Sequence, residues 1–113
     1  MQRVLGSAAL REGAADVVMV EGWQVLLVRS EGVVRAALNR CPHAGTSFVP
    51  GCRVRRGILM CPAHGAQFRL ADGSCVGGLY GSLRMVDVGE KDGWIEVAVP
   101  SGTPAAEDLP VRR

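Results

Sequence analysis

The sequence predicts an all-β protein, and three observations support that prediction. Apolar residues occur in short runs rich in β-branched side chains and do not recur at the period of a helix. Acidic residues followed by glycine, which favour tight hairpin turns, separate the runs at positions 21–22, 31–32, 72–73 and 92–93. Glycine is frequent, at 15 residues, while aromatic residues make up only 4% of the chain. We therefore expect short antiparallel strands joined by tight turns.

Seven segments fit this pattern of short apolar runs bounded by turn residues. The predicted strands are residues 15–20, 23–29, 33–38, 57–60, 67–70, 83–88 and 94–99. A short helical turn is predicted within residues 7–13. Residues 39–52 and 61–67 contain Pro, Gly, His and Cys in close succession and are predicted to be loops.

The length of 113 residues predicts one domain. We assign it to residues 1–100, because periodicity is lost in residues 101–113, which are predicted to form a C-terminal tail. The net charge of +2 is too small to indicate binding to nucleic acid or a membrane surface. No targeting or membrane-spanning segment is recognisable, so a cytoplasmic protein is expected. Because thiols stay reduced there, the four cysteines are interpreted first as metal ligands or free thiols.

Two matched loops carry the candidate metal ligands. They read Cys41-Pro42-His43-Ala44-Gly45 and Cys61-Pro62-Ala63-His64-Gly65. A single Cys is usually a buried, inert thiol, and a single His is usually an ordinary surface or core residue. Here the only two histidines of the chain each follow the Cys of a Cys-Pro pair by two or three positions. The pattern therefore predicts one site with two thiolates and two imidazoles.

Two metal groups suit such a ligand set. A Rieske-type [2Fe–2S] cluster takes two Cys and two His, with both histidines on one iron. Tetrahedral Zn²⁺ takes the same donors, which would make the chain a zinc-bound interaction module. Zinc fingers usually pair Cys with Cys and His with His within each half, whereas each half here holds one of each. The spacing thus favours the iron–sulfur cluster.

At these residues the chain resembles the Rieske-type ferredoxins of bacterial ring-hydroxylating dioxygenase systems. The resemblance spans about residues 4–99 and includes Asn39-Arg40, Gly65-Ala66-Gln67-Phe68 and Asp72-Gly73. It implies a Rieske fold, in which antiparallel sheets carry a two-loop cluster-binding tip. It also implies that Cys41 and Cys61 hold the inner iron, while His43 and His64 hold the outer, redox-active iron.

Departures from respiratory relatives predict a low reduction potential. Thr46 and Ala63 stand where those relatives have the two cysteines of a disulfide, and Ala66 and Phe68 stand where they have Ser and Tyr hydroxyl donors. In many relatives a loop that contains proline covers the cluster. The corresponding loop here, residues 77–82, has no proline. Two further cysteines match no ligand position and are interpreted as packed free thiols, with a disulfide between them left open. They are Cys52 and Cys75.

The function predicted from these features is electron transport without catalysis. Both histidines are committed to the cluster, so none is left for the mononuclear iron of an oxygenase, and no dinucleotide fingerprint is present. We expect a soluble, monomeric ferredoxin that docks transiently on a flavin-dependent ferredoxin reductase and on a terminal aromatic-ring-hydroxylating oxygenase. The alternative is the small Rieske subunit of an assimilatory nitrite reductase.

A charge asymmetry predicts how the partner is recognised. Residues 32–71 contain no Asp or Glu. An electropositive cluster end that docks on an acidic patch is one interpretation, and a solvated basic face is the other. The arginines in this segment are Arg35, Arg40, Arg53, Arg55, Arg56 and Arg69.

Overall fold

The computed structural model describes residues 1–111 and confirms the all-β prediction. Two antiparallel sheets and two single-turn 3₁₀ helices form this part of the chain. The strands are β1 (Gln2–Gly6), β2 (Ala15–Val20), β3 (Trp23–Ser30), β4 (Val33–Leu38), β5 (Arg53–Arg55), β6 (Ile58–Met60), β7 (Gln67–Arg69), β8 (Met85–Lys91) and β9 (Trp94–Ala98). The 3₁₀ helices are η1 (Ser7–Ala9) and η2 (Ala106–Asp108).

The larger sheet has the strand order β1-β9-β8-β4-β3-β2. Its hairpins close at the predicted acidic–glycine turns, where Glu21, Glu31 and Asp92 adopt left-handed φ angles of 51°, 53° and 54° before their glycines. Two successive left-handed residues match the twist of a two-residue hairpin. The acidic–glycine pairs at these three positions thus set the registers of the β2–β3, β3–β4 and β8–β9 hairpins.

The smaller sheet, β5-β6-β7, lies against the larger one, and strand β3 is buried on both faces for that reason. Val25 and Leu27 of β3 point into a core shared with the other long strands. Leu26 and Val28 point into a second core, which lies beneath the small sheet. The longest of these strands is therefore the one that both cores share.

The second core reaches the two predicted metal loops. Phe48 and Phe68 are fully buried in it, with ring centroids 6.1 Å apart in an edge-to-face arrangement. Cys41 and Cys61 belong to the same cluster of buried residues. The loops that carry them are therefore anchored on a packed apolar base.

Two strands were missed by the sequence prediction, and one was displaced. Strand β1 is short and partly polar, and only its pairing with β9 makes it a strand. Strand β5 pairs with β6 through a turn at Arg56-Gly57, where Arg56 has a φ of 50° without the acidic residue that marks the other turns. Strand β8 runs from Met85 to Lys91, later than the predicted 83–88.

Residues 101–111 lie against the body of the domain. The indole nitrogen of Trp23 donates a hydrogen bond of 3.0 Å to the carbonyl oxygen of Gly102. Further along, Arg84 pairs with Asp108 and holds the pKa of that carboxyl below its usual value. Within the described residues, no helix is long and apolar enough to cross a membrane.

Candidate metal centre

The first loop, residues 41–46, is a tight turn closed on its own cysteine. The amide of Cys41 donates to the carbonyl oxygen of Thr46 at 2.9 Å, and the amide of Gly45 donates to the carbonyl oxygen of Cys41 at 2.6 Å. Gly45 has a φ of 72°, and a side chain here would come within 3.0 Å of the Arg40 guanidinium. The backbone conformation therefore favours glycine, and a larger residue would also displace the end of the Arg40 side chain.

The second loop, residues 61–66, repeats that pattern. The amide of Cys61 donates to the carbonyl oxygen of Ala66 at 2.8 Å, and the amide of Gly65 donates to the carbonyl oxygen of Cys61 at 3.0 Å. Gly65 has a φ of 73°, close to that of its counterpart in the first loop. The two loops are thus structural repeats, and they differ in placing the histidine two or three positions after the cysteine.

The two predicted thiol ligands are buried side by side. Cys41 is fully buried and Cys61 is 1% exposed. Burial raises the pKa of the Cys41 thiol to about 11, and the neighbouring Cys61 thiol adds to the increase. Because thiolates are the metal-binding form, a cationic centre is needed to offset two negative charges in this apolar place.

His43 joins the two thiols to form a three-residue group. A ring nitrogen of His43 and the sulfur atoms of Cys41 and Cys61 all lie within 4.8 Å of one another. The Nδ1 atom of His43 is buried and has no hydrogen-bond partner among the described residues. A buried polar atom without a partner is costly unless something else binds it. These donors therefore fit a metal group held at the junction of the two loops.

His64 lies beside this group without belonging to it. Its ring centroid is 4.8 Å from that of His43, and the two ring planes are almost perpendicular, at 87°. His64 is exposed, whereas His43 is half-buried. The structure thus brings three of the four predicted ligands together and leaves the fourth imidazole on the solvent side of them.

Two residues near the site have contacts that the sequence analysis did not predict. Tyr80, in the predicted covering loop, packs its ring on His43 with centroids 4.6 Å apart. The hydroxyl oxygen of Thr46 is buried without a hydrogen-bond partner among residues 1–111. A lone aromatic residue within a glycine-rich loop was the sequence signal for Tyr80, while Thr46 was noted only because it replaces a cysteine of the respiratory relatives.

The other two cysteines do not form the disulfide that the sequence left open. Among the described residues, all four cysteines are free thiols. Cys75 is buried beside β7, and its backbone bridges to Phe68. Cys52 is half-buried, and burial raises the pKa of its thiol above the usual value. Both thiols pack around the second core, outside the three-residue ligand group.

Comparison with known families decides which metal group this arrangement serves. The family model for the Rieske [2Fe–2S] domain matches residues 1–80, which include both loops. The chain belongs to the Rieske [2Fe–2S] domain family. The two buried thiols and the unpartnered Nδ1 atom of His43 fit a [2Fe–2S] cluster, so the family assignment and the geometry agree.

Individual relatives contain segments that are similar in sequence to this Rieske domain. The ferredoxin component of the alkene monooxygenase system of Xanthobacter autotrophicus is 41% identical over 64 residues, which cover 57% of this chain and 52% of that protein. Human apoptosis-inducing factor 3 is 43% identical over 53 residues, 46% of this chain and 9% of that protein. The matches therefore span about half of the first relative and a small part of the second.

A solved structure of similar fold covers most of both chains. The ferredoxin of carbazole 1,9a-dioxygenase from Nocardioides aromaticivorans IC177 superposes with a TM-score of 0.78 at 26% identity. The alignment covers 86% of this chain and 95% of that one. The predicted Rieske fold, with antiparallel sheets and a two-loop tip, is thereby confirmed.

Proposed function

We propose that this Rieske domain is a ferredoxin, a carrier of single electrons that performs no catalysis itself. In this proposal Cys41, His43, Cys61 and His64 are the four cluster ligands. The observation that carries the proposal is the junction of two buried thiols and the unpartnered His43 nitrogen in a domain of this family. The cluster, when bound, supplies a one-electron redox couple.

The surroundings of the ligands suit electron transfer to a docked protein. The thiols are buried, so the apolar base excludes water from that side of the site. His64 is exposed, and its ring edge gives an electron a short route to the surface. Tyr80 covers His43, which leaves His64 as the more accessible of the two imidazoles.

The proposed partners are a flavin-dependent ferredoxin reductase as donor and a terminal aromatic-ring-hydroxylating oxygenase as acceptor. Two similar proteins support the oxygenase, since one is a component of an alkene monooxygenase system and the other is the ferredoxin of carbazole 1,9a-dioxygenase. We further propose that the protein acts in the cytoplasm as a monomer. Docking is then transient, because a carrier must release one partner before it meets the other.

Reconstitution tests this function. The purified holoprotein is mixed with the reductase, NADH and the terminal oxygenase encoded in the same genome, and product formation is followed with and without it. We expect product only when the holoprotein is present, and we expect it to purify as a monomer. Permanent association with a sirohaem subunit would instead identify a nitrite reductase component. Stoichiometric zinc without iron would contradict the cluster itself.

A further inference from the structure

The outer face of the small sheet presents a two-row grid of side chains. Strand pairing aligns Arg53 with Met60 and Gln67 in the row next to the second loop, and Arg55 with Ile58 and Arg69 in the row behind it. The residues between them, Val54, Leu59 and Phe68, point inward to the second core. We call the six outward side chains the basic face. They are Arg53, Arg55, Ile58, Met60, Gln67 and Arg69.

Some arginine side chains of this region already bind other residues of the domain, and others do not. Arg40 donates to the carbonyl oxygen of Leu109, so it serves the fold. Arg69 donates to Ser74, whose hydrogen bonds to Asp72 lower the pKa of that carboxyl, and the nearby charge of Arg69 lowers it further. By contrast, three arginines are exposed and make no ion pair within residues 1–111. They are Arg53, Arg55 and Arg56.

The basic face has an apolar centre with charge around it. Ile58 and Met60 are half-buried and line a groove of about 380 Å³ together with the three free arginines and Gln67. No strand of the small sheet contains a carboxylate. Two carboxylates lie behind the sheet's second row: Glu31 lines a separate cleft with Arg56 and Arg69, and Asp72 lies near Arg69. An apolar centre within a charged rim is typical of a protein-docking surface.

The basic face also borders the proposed exit route for the electron. Met60 directly precedes Cys61, and Gln67 directly follows the loop that carries His64. Two residues of the row nearest the loop, Met60 and Gln67, therefore flank the second loop directly. A protein that covers this row would therefore lie beside the loop that carries the exposed His64.

We infer that the basic face is the docking surface for an acidic patch on the terminal oxygenase. This inference rests on the proposed function and names the recognition surface for its acceptor. The unpaired charges of Arg53 and Arg55, together with that of Arg56 in the adjoining turn, would attract that patch from a distance and raise the rate of encounter. Ile58 and Met60 would then be covered in the complex, and His64 would be brought to the partner's surface.

Charge reversal tests the inference in the holoprotein. Stopped-flow mixing with the oxygenase measures the second-order rate constant for electron transfer at low and high salt. The triple variant Arg53→Glu, Arg55→Glu and Arg56→Glu should lower it by about tenfold or more at low salt and flatten its salt dependence. The cluster potential and the circular dichroism spectrum should stay unchanged, because all three side chains are exposed.

A matched pair of variants distinguishes the effect of charge on the basic face from the effect of the protein's net charge. Lys91→Glu makes the same charge change as Arg53→Glu, but at the opposite end of β8 from Met85, whose pairing partner Ala37 lies toward the first metal loop. Arg53→Glu should slow transfer several-fold, while Lys91→Glu should not. Equal effects of the two variants, or an effect confined to reduction by the reductase, would overturn the inference.

Small oxidants keep the test independent of the oxygenase. The reduced holoprotein is mixed with hexacyanoferrate(III), an anion, or hexaammineruthenium(III), a cation, each of which accepts one electron. Arg53→Glu should slow oxidation by the anion and speed oxidation by the cation. An unchanged ratio of the two rates would overturn the inference. Normal oxidation of the wild type by both ions, without transfer to the oxygenase at any salt concentration, would instead reject the proposed function.

Discussion

The backbone amide of Val111 donates a hydrogen bond of 2.8 Å to the carbonyl oxygen of Gly45, in the loop that carries Cys41 and His43. Two residues earlier, the carbonyl oxygen of Leu109 accepts a hydrogen bond of 2.7 Å from the Arg40 guanidinium. The same guanidinium packs against Gly45. The last described residues therefore fasten the first metal loop from outside.

Truncation after residue 103 tests this fastening. It removes the hydrogen bonds made by Leu109 and Val111 and the Arg84–Asp108 ion pair, but keeps the contact between Trp23 and Gly102. At about 1 kcal/mol each, the two lost hydrogen bonds alone should lower the free energy of unfolding by about 2 kcal/mol, and loss of the ion pair acts in the same direction. The cluster should also be lost several-fold faster when a chelator is added, measured by visible absorbance. Glu107→Gln, an exposed change in the same segment, is the control and should leave both quantities unchanged.

Substitution of single ligands tests the proposed set. His43→Ala or His64→Ala should abolish the Rieske-type electron paramagnetic resonance signal, because one iron loses a ligand. Cys61→Ser should do the same. The matched control is Cys52→Ser, which removes a half-buried thiol outside the ligand group and should leave the signal intact. A normal signal in His64→Ala would show that His64 is not the fourth ligand.

The reduction potential tests the proposed low-potential character. Ala66 and Phe68 have no hydroxyl to stabilise the more negative, reduced cluster, so the midpoint should lie near the bottom of the Rieske range, at about −150 mV. Ala66→Ser and Phe68→Tyr should raise it. Because Phe68 is fully buried against Phe48, its variant also needs a check of folding by thermal unfolding. A wild-type midpoint above about +100 mV would contradict this character.

Local sequence signals predicted most of the fold, because most strands lie in hairpins with recognisable turns. Strand β4 was predicted at its observed bounds, since Glu31-Gly32 marks its start and apolar residues fill all but one of its positions. Strand β1 was missed because its pairing partner, β9, lies at the other end of the sequence. Strand β5 was missed because its turn, Arg56-Gly57, lacks the acidic residue that marked the others.

The metal loops were predictable for a similar reason. Each ligand pair is contiguous, so Cys-Pro followed by His and Gly was recognisable without knowledge of the fold. Tyr80 and the tail contacts were not predictable, because residues 80 and 43, and residues 111 and 45, are brought together only by the fold. The same limit applied to the arginines, whose engagement with Leu109 or Ser74 no sequence pattern indicates.

Replacement of Tyr80 tests whether its ring shields the metal centre. The ring packs on His43 at 4.6 Å, and Gly77 and Gly78 precede it in a loop with left-handed φ angles of 87° and 70°. Tyr80→Ala would remove the cover from the half-buried imidazole. Small oxidants should then react several-fold faster with the reduced holoprotein, as measured by stopped-flow absorbance.

Two controls distinguish shielding from general loosening of this loop. Tyr80→Phe keeps the ring and should react at the wild-type rate, because the hydroxyl is not needed for packing on His43. Leu79→Ala shortens the neighbouring side chain, which is 76% exposed, and should also leave the rate unchanged. If all three variants reacted faster by the same factor, the loop as a whole would limit access. If only Tyr80→Ala did so, the ring itself would form the barrier, and the oxidant would reach the cluster past His43 as well as past His64.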